Sequence, residues 1–367
     1  MTYEALFLLF TMLFLFVAGL PIAFVLTAVG LVGILFQRGM PGLYQFALQF
    51  WEGGSNFIYI CIPLFIFMAV AMEKGKVGKL IRGYPKRITL GALSAGGGLG
   101  MLIPPSVPLI IYGALTGESI GKLFIAGIIP GIILALLYCL LIAIRAWRGD
   151  INVVEPPSTW REKFCSIKKA FWGLALIPIV IGGLYMGFFT PTEAGAVGMV
   201  LSLLIVVLIY RSLKITEIPA MLGDTLRVSV MIFFLLLGAG LFSYVIALYG
   251  IPALVTDWVL HLNVPPIWII LMFNLFFLVL GCFVDGASLM VISLPLAYPV
   301  VTALGFNGVW FGIVLMVNIN MAVETPPVGL NLYVLKGIAR DISLADVTMG
   351  VIPFYMCEIM GLIIVIL

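Results

Sequence analysis

Residues 83–105 read GYPKRITLGALSAGGGLGMLIPP, and residues 305–327 read GFNGVWFGIVLMVNINMAVETPP. The two align without a gap at an offset of 222 residues. Gly83 meets Gly305, Tyr84 meets Phe306, Leu93 meets Leu315, and Pro104-Pro105 meets Pro326-Pro327. At the same offset Ile120 meets Ile342. With one residue of slip, Gly127-Ile128-Ile129-Pro130 pairs with Gly350-Val351-Ile352-Pro353. A double proline removes amide donors and bars a continuous helix. The chain thus carries one broken segment twice, and a repeat constrains an architecture before any single motif does.

The surroundings are apolar. Of 367 residues, 63% are hydrophobic and 10% charged, and mean hydropathy is +1.25. A soluble domain is about a quarter charged, so this composition excludes a soluble enzyme, a nucleic-acid binder and a disordered chain. A single His, His261, leaves no His pair for zinc and no convincing Ser–His or Cys–His arrangement. The five cysteines form no CxxC; Cys61, Cys139, Cys282 and Cys357 lie in apolar runs and read as small buried hydrophobes.

A crossing helix needs about 20 mostly apolar residues. Candidate runs are 4–36, 56–72, 88–116, 123–146, 170–189, 194–212, 228–250, 267–284, 287–304, 308–335 and 345–367, with Pro21 kinking or splitting the first. Basic residues mark the cytoplasmic side. They cluster in 74–87, 145–169, 211–227 and 336–340, whereas 189–193, 251–266 and 304–307 carry none. The first copy of the repeat therefore starts inside and the second starts outside. Copies crossing in opposite senses are the signature of inverted-repeat secondary transporters. The predicted fold is an all-α polytopic membrane protein with inverted repeats, re-entrant hairpins and broken helices.

The chemistry follows from the breaks. Carbonyls freed in hydrocarbon must face protein or a water-lined cavity, where they can coordinate Na⁺. A half-helix N-terminus after the break offers amides to an anion. Gly96, Gly97, Gly98 and Gly100 let backbone approach a ligand. Polar residues gather at both breaks: Ser94 and Ser106 at the first, and Asn318, Asn320, Glu324, Thr325 and Asn331 at the second. Residues 281–290 interrupt an apolar stretch and predict a hairpin tip carrying Asp285, Gly286 and Ser288. Asp285 reads either as a functional intramembrane carboxylate or as a helix cap. Glu324 reads as functional or as holding a buried structural hydrogen bond. Glu193 reads as a helix cap and His261 as a surface residue. A channel, an intramembrane enzyme and a structural anchor are the competing classes. Pore stripes, a Ser–His pair and a reason for two broken helices are respectively missing from them.

These motifs resemble the large membrane subunit of TRAP transporters, the DctM-like permeases of the tripartite ATP-independent periplasmic transporter family. The resemblance rests on Ile103-Pro104-Pro105-Ser106-Val107-Pro108 with Ile111-Tyr112-Gly113, and on Phe124-Ile125-Ala126-Gly127-Ile128-Ile129-Pro130-Gly131. It rests also on Phe189-Thr190-Pro191-Thr192-Glu193-Ala194-Gly195-Ala196 and Glu324-Thr325-Pro326-Pro327-Val328-Gly329-Leu330-Asn331. It implies an elevator-type, Na⁺-coupled importer of a small organic acid, such as a carboxylate, sugar acid or sialic acid, in the bacterial inner membrane. It implies two partners besides lipid: a soluble periplasmic binding protein and a small four-helix membrane subunit. No organic cofactor and no nucleic acid is implied. Substrate and ion would meet Ser94, Gly97, Gly98, Pro104, Pro105, Ser106, Asp285, Gly286, Ser288, Asn318, Asn320, Glu324, Thr325, Pro326, Pro327, Gly329 and Asn331. Na⁺ would lie near Gly96, Ser106, Asp285 and Thr325. The unwound stretches would be Gly96 to Ser106 and Asn318 to Asn331.

The expected organisation is scaffold helices in 1–72, a first transport repeat in 73–146, a cytoplasmic linker in 147–169, scaffold helices in 170–250 and a second transport repeat in 251–367. The first repeat departs from the pattern. Gly250 and Gly305 bracket a hairpin, whereas the corresponding Gly75 and Gly83 are nearly adjacent. The sequence also stops inside the apolar run Ile363 to Leu367. Either segments of a longer protein are omitted, or this is a shortened variant with half the cradle, expected not to transport.

Overall fold

A computed structural model describes residues 3–74, 85–150, 159–326, 329–338 and 342–367. The expectations placed on the Lys79–Gly83 junction, the middle of the 147–169 linker and Pro327 lie outside these residues.

Sixteen α-helices are described: α1 (Tyr3–Val17), α2 (Ile22–Arg38), α3 (Gly42–Gly54), α4 (Cys61–Lys74), α5 (Lys86–Leu102), α6 (Val107–Thr116), α7 (Ile120–Trp147), α8 (Trp160–Tyr185), α9 (Pro191–Leu204), α10 (Ile218–Leu248), α11 (Ile251–Leu260), α12 (Pro266–Gly281), α13 (Gly286–Ala303), α14 (Gly308–Val323), α15 (Leu330–Ile338) and α16 (Leu344–Ile366). Among the described residues, six helices are long and apolar enough to cross a membrane, or seven if α3 and α4, bent by 47°, count as one span. The protein is a multi-pass all-α membrane protein, as its composition requires.

The repeat is visible in the element order. α5 and α14 both begin at the offset of 222 residues, and each is followed by an unwound turn, a short helix (α6 or α15) and a long one (α7 or α16). Local chemistry sets these ends. Asn307 caps α14 through Val309 and Trp310 N–H, Ser119 caps α7 and Ser343 caps α16. Thr190 and Glu193 form a capping box at the start of α9, as expected for Glu193. His261 is exposed at the end of α11. The run 4–36 is two helices, split before Pro21. The helix α3 was not expected: Gln45, Gln49 and Glu52 keep it below the apolarity of a span. Cys61, Cys282 and Cys357 are buried as expected, but Cys139 is exposed on α7, because 123–146 turns one face outward to lipid.

In hydrocarbon the helices cannot rely on the hydrophobic effect, so small residues bring backbones together. Gly30 and Gly33 of α2 lie against Leu241 and Val245 of α10, and Gly238 of α10 lies against the Ala23 carbonyl. Gly195 and Gly198 of α9 pack on α4 at Leu64, Phe65 and Met68. The tightest backbone approach is α5 on α16: a Cβ at Gly91 would overlap the Gly350 carbonyl, and one at Gly350 would overlap the Arg87 carbonyl. Gly127 of α7 presses on the Leu102 carbonyl at the end of α5. One core gathers α1, α2 and α10 around Leu26, Ile34 and Phe242. A larger one gathers α5, α6, α7, α13, α14 and α16 around Tyr112, Phe124, Phe311 and Phe354.

Candidate functional site

Both breaks are present, but they are shorter than expected. α5 remains helical through Gly96–Gly98 and unwinds only at Ile103–Ser106. α14 remains helical through Asn318 and Asn320 and unwinds at Glu324. Asn331 already lies in α15. The expected unwound stretches, Gly96 to Ser106 and Asn318 to Asn331, are corrected accordingly. The reason is local: in a membrane an unwound backbone needs internal partners, and glycine alone does not force the ladder open as Pro-Pro does.

At the first break, Ser106 is fully buried. Its hydroxyl donates to the Met101 carbonyl (2.7 Å) and accepts from Leu109 N–H, capping α6. It thereby spans the gap left by Pro104 and Pro105, which are joined by a cis peptide. Ser94 is buried on α5 and donates to Glu324 Oε1 at 2.7 Å, so the two copies of the repeat touch directly. Gly98 is required there: a Cβ would overlap the Asn320 amide. Gly96, Gly97 and Gly100 are exposed, with no described atom within 4 Å of a Cβ.

At the second break, the helices α12 and α13 form the expected hairpin, with its tip at Cys282–Asp285. Asp285 caps α13, accepting from the N–H of Ala287 and Ser288 (both 3.1 Å) and from the Ser288 hydroxyl. The hairpin meets the break through backbone: Gly329 N–H donates to the Cys282 carbonyl at 3.2 Å. Gly329 has φ +53°, a left-handed conformation that glycine adopts without strain. Gly281 packs on Ala322 and Gly286 on Ile319, with a Cβ at either placed 2.5 Å from its neighbour. Asn318 donates to the carbonyl and side-chain oxygens of Asn274 on α12, at 2.9 and 3.0 Å. Thr325 donates to the Met321 carbonyl at 2.7 Å, and Pro326 is exposed.

The polar residues of α14 therefore serve two faces. Asn318, Ile319 and Ala322 face the hairpin. Asn320 and Glu324, four residues apart on one face, turn toward α5 and α16. There Asn320 donates to Glu358 Oε1 at 2.7 Å, and Tyr138 of α7 donates to the same oxygen at 2.8 Å. Glu358 is 0% exposed and Glu324 2%. Sequence reading missed Glu358, Tyr138 and Asn274. Glu358 carried a readable signal, an ionisable residue inside a span. A pocket of about 160 Å³ opens beside this network, lined by Glu324, Thr325, Pro326, Thr348 and Tyr355.

Farther along, Glu118 accepts from Tyr298 of α13 at 2.7 Å, and Tyr112 of α6 donates to the Gly308 carbonyl at 2.6 Å. These bonds tie the first repeat to α13 and to the start of α14.

Comparison with known proteins agrees with this architecture. The family model for the tripartite ATP-independent periplasmic transporter, DctM component, matches residues 80–367. The C4-dicarboxylate TRAP transporter large permease protein DctM of Pseudomonas aeruginosa is 36% identical over 288 residues, covering 78% of this chain and 67% of the relative. The sialic acid TRAP transporter large permease protein SiaM of Vibrio cholerae is 30% identical over 400 positions, covering 94% of this chain and 92% of the relative. That alignment is longer than this chain of 367 residues, so the relative carries residues that this chain lacks. In three dimensions, the crystal structure of the Alcanivorax borkumensis YdaH transporter matches with a TM-score of 0.61 at 13% identity, over 89% of this chain and 88% of that one; it supports the fold alone. The paired Pro-Pro breaks, the hairpin between α12 and α13 and the family match over most of the length lead to one assignment: the chain belongs to the DctM family of TRAP transporter large permeases.

Proposed function

We propose that the chain acts as the large membrane subunit of a Na⁺-coupled secondary transporter in the bacterial inner membrane. It would import a small organic acid delivered by a soluble periplasmic binding protein, with a small four-helix membrane subunit completing the complex. The observation that carries this reading is the clasp at the second break, where Gly329 N–H bonds the hairpin carbonyl of Cys282 beside Asp285 and Thr325. Such a bond holds the hairpin tip against the broken helix, the place where transporters of this kind bind ions and substrates. Na⁺ would take oxygens near Asp285 and Thr325, and near Ser106 at the first break. Gly96 fits less well, because its carbonyl lies within helix α5. The substrate carboxylate would meet the N-terminus of α6 or α15. The named relatives act on C4-dicarboxylates and sialic acid, which supports a carboxylate substrate. Residues 1–72 and 170–250 would form the scaffold. Residues 73–146 and 251–367 would form the moving transport units, with the basic loops cytoplasmic.

The test is uptake of labelled C4-dicarboxylate and sialic acid into proteoliposomes holding the full complex, with and without a Na⁺ gradient. Na⁺-dependent accumulation supports the reading, and uptake that is unchanged without Na⁺ refutes the coupling. One observation favours a second reading. Residues 75–85 join α4 to α5, whereas residues 249–307 and three helices join α10 to α14. A folded complex with no uptake of either acid would select a shortened, non-transporting member of the family.

A further inference from the structure

The face of α14 turned away from the hairpin carries a charge problem that the transport reading does not use. Glu324 and Glu358 are both sealed from solvent, yet every partner described for their oxygens is neutral: Ser94 and Asn331 for Glu324, and Tyr138 and Asn320 for Glu358. Glu324 Oε2 and Glu358 Oε2 are buried without a partner, and so is Oδ1 of Asn320, a residue 1% exposed. Asn320 bonds Glu358 and sits one turn from Glu324 along α14. The charges of the two carboxylates act on each other.

Buried acceptors without donors are costly, and buried carboxylates more so unless positive charge compensates them. No side chain described here supplies that charge. Arg87 of α5 pairs with Asp346, and Lys336 of α15 bonds the Ile342 carbonyl. The other ionisable groups described beside Glu358 are the Cys357 thiol and the Tyr355 phenol, neither of them a cation. A proton on Glu358 Oε2, donated to Asn320 Oδ1, would close a cyclic pair with the bond from the Asn320 amide to Glu358 Oε1, and it is the competing way to satisfy these atoms; infrared spectra distinguish it from an ion. Hard monovalent cations instead seek several oxygens at once, by analogy with the oxygen cages of harder ions. The pocket beside Glu324 gives such an ion a way in.

We propose that Glu324, Glu358 and Asn320 form a monovalent cation site of Na⁺ type between α5, α14 and α16, separate from the hairpin face. It closes the contact between the two repeats by offsetting half of the negative charge of the two carboxylates that join them.

The test uses the purified full chain in liposomes, with Na⁺ alone and neither substrate nor binding protein. Thermal stability is measured as NaCl replaces choline chloride at constant ionic strength. Infrared difference spectra of the carboxyl groups are recorded on the same samples. The expected result is a Na⁺-dependent rise in Tm with a shift of carboxylate bands. Glu358→Gln, close in shape, should keep the fold, lose the Glu358 share of those bands and weaken the Na⁺ response at least tenfold in concentration; His261→Ala, at the exposed end of α11, should leave both unchanged. An unchanged Na⁺ response in Glu358→Gln overturns the proposal. So does a protonated-carboxyl band that persists in high Na⁺ and disappears in Glu358→Gln, which would assign the pair to a proton. Neither outcome bears on whether uptake requires Na⁺, so this site and the transport reading fail separately.

Discussion

At the break Glu324–Gly329, a helical hairpin lies along α14 and touches it through Gly281, Gly286 and Asn274. At the break Ile103–Ser106, the corresponding face of α5 meets no described atom. The repeat register makes the comparison residue by residue: Asn318, Ile319 and Ala322 under the hairpin correspond to Gly96, Gly97 and Gly100 on the open face. A helix face without Cβ atoms suits a close-packed neighbour. The first repeat has such a face but only residues 75–85 where the second repeat places three helices. The difference separates what the break needs from what the hairpin adds. The break is closed by its own groups, as Ser106 shows. The hairpin adds an acidic tip and a backbone clasp.

The largest expected effect tests what the covered side contributes. Asp285→Ala combined with Thr325→Ala should reduce Na⁺-dependent uptake at least tenfold, measured as the initial rate in proteoliposomes with the protein amount equalised. Retained uptake would show that the hairpin tip is only a cap. Next in size, Ile319→Ala should destabilise the protein by about 2 kcal/mol or more, because it leaves a cavity under the hairpin. A melting curve in detergent checks it, and an unchanged Tm would mean that the hairpin does not bear on α14. Ser119→Ala and Ser343→Ala remove equivalent caps in the two repeats, and each should cost about 1 kcal/mol. Clearly unequal costs would break the structural equivalence of α7 and α16. The smallest effect has the opposite sign. Gly97→Ala should stabilise by roughly 0.5–1 kcal/mol, since alanine is the better helix former and has room. A loss of stability there would reveal that something covers the open face.

Much of this comparison is legible in the sequence. The offset that pairs Pro104-Pro105 with Pro326-Pro327 also places the starts of α5 and α14. The turn at Cys282–Asp285 could be read from its polar residues within an apolar stretch, and the short junction between Gly75 and Gly83 from the repeat itself. The extent of unwinding was not legible. Polyglycine at 96–98 looked like a broken helix, but helicity there depends on whether hydrogen bonds can go elsewhere, and in lipid they cannot. Nor could sequence show that Asn318 and Asn320, two residues apart, serve opposite faces. Asn274 and Glu358, far off in the chain, supply the partners that divide them. Glu358 was hidden by the hydropathy of 345–367, which a single carboxylate hardly changes. Cys139 shows the same limit from the other side, since an apolar run does not say which face meets lipid.

The account depends most on the two copies crossing the membrane in opposite senses. Pro85 and Asn307 occupy equivalent positions at the starts of α5 and α14. Pro85→Cys and Asn307→Cys, each in a background without the native cysteines, can be labelled with a membrane-impermeant maleimide in right-side-out vesicles. The account predicts that Asn307→Cys is labelled at once and that Pro85→Cys is labelled only after the vesicles are opened. Labelling of both from the same side would contradict the inverted repeat, and with it the two-sided comparison of the breaks.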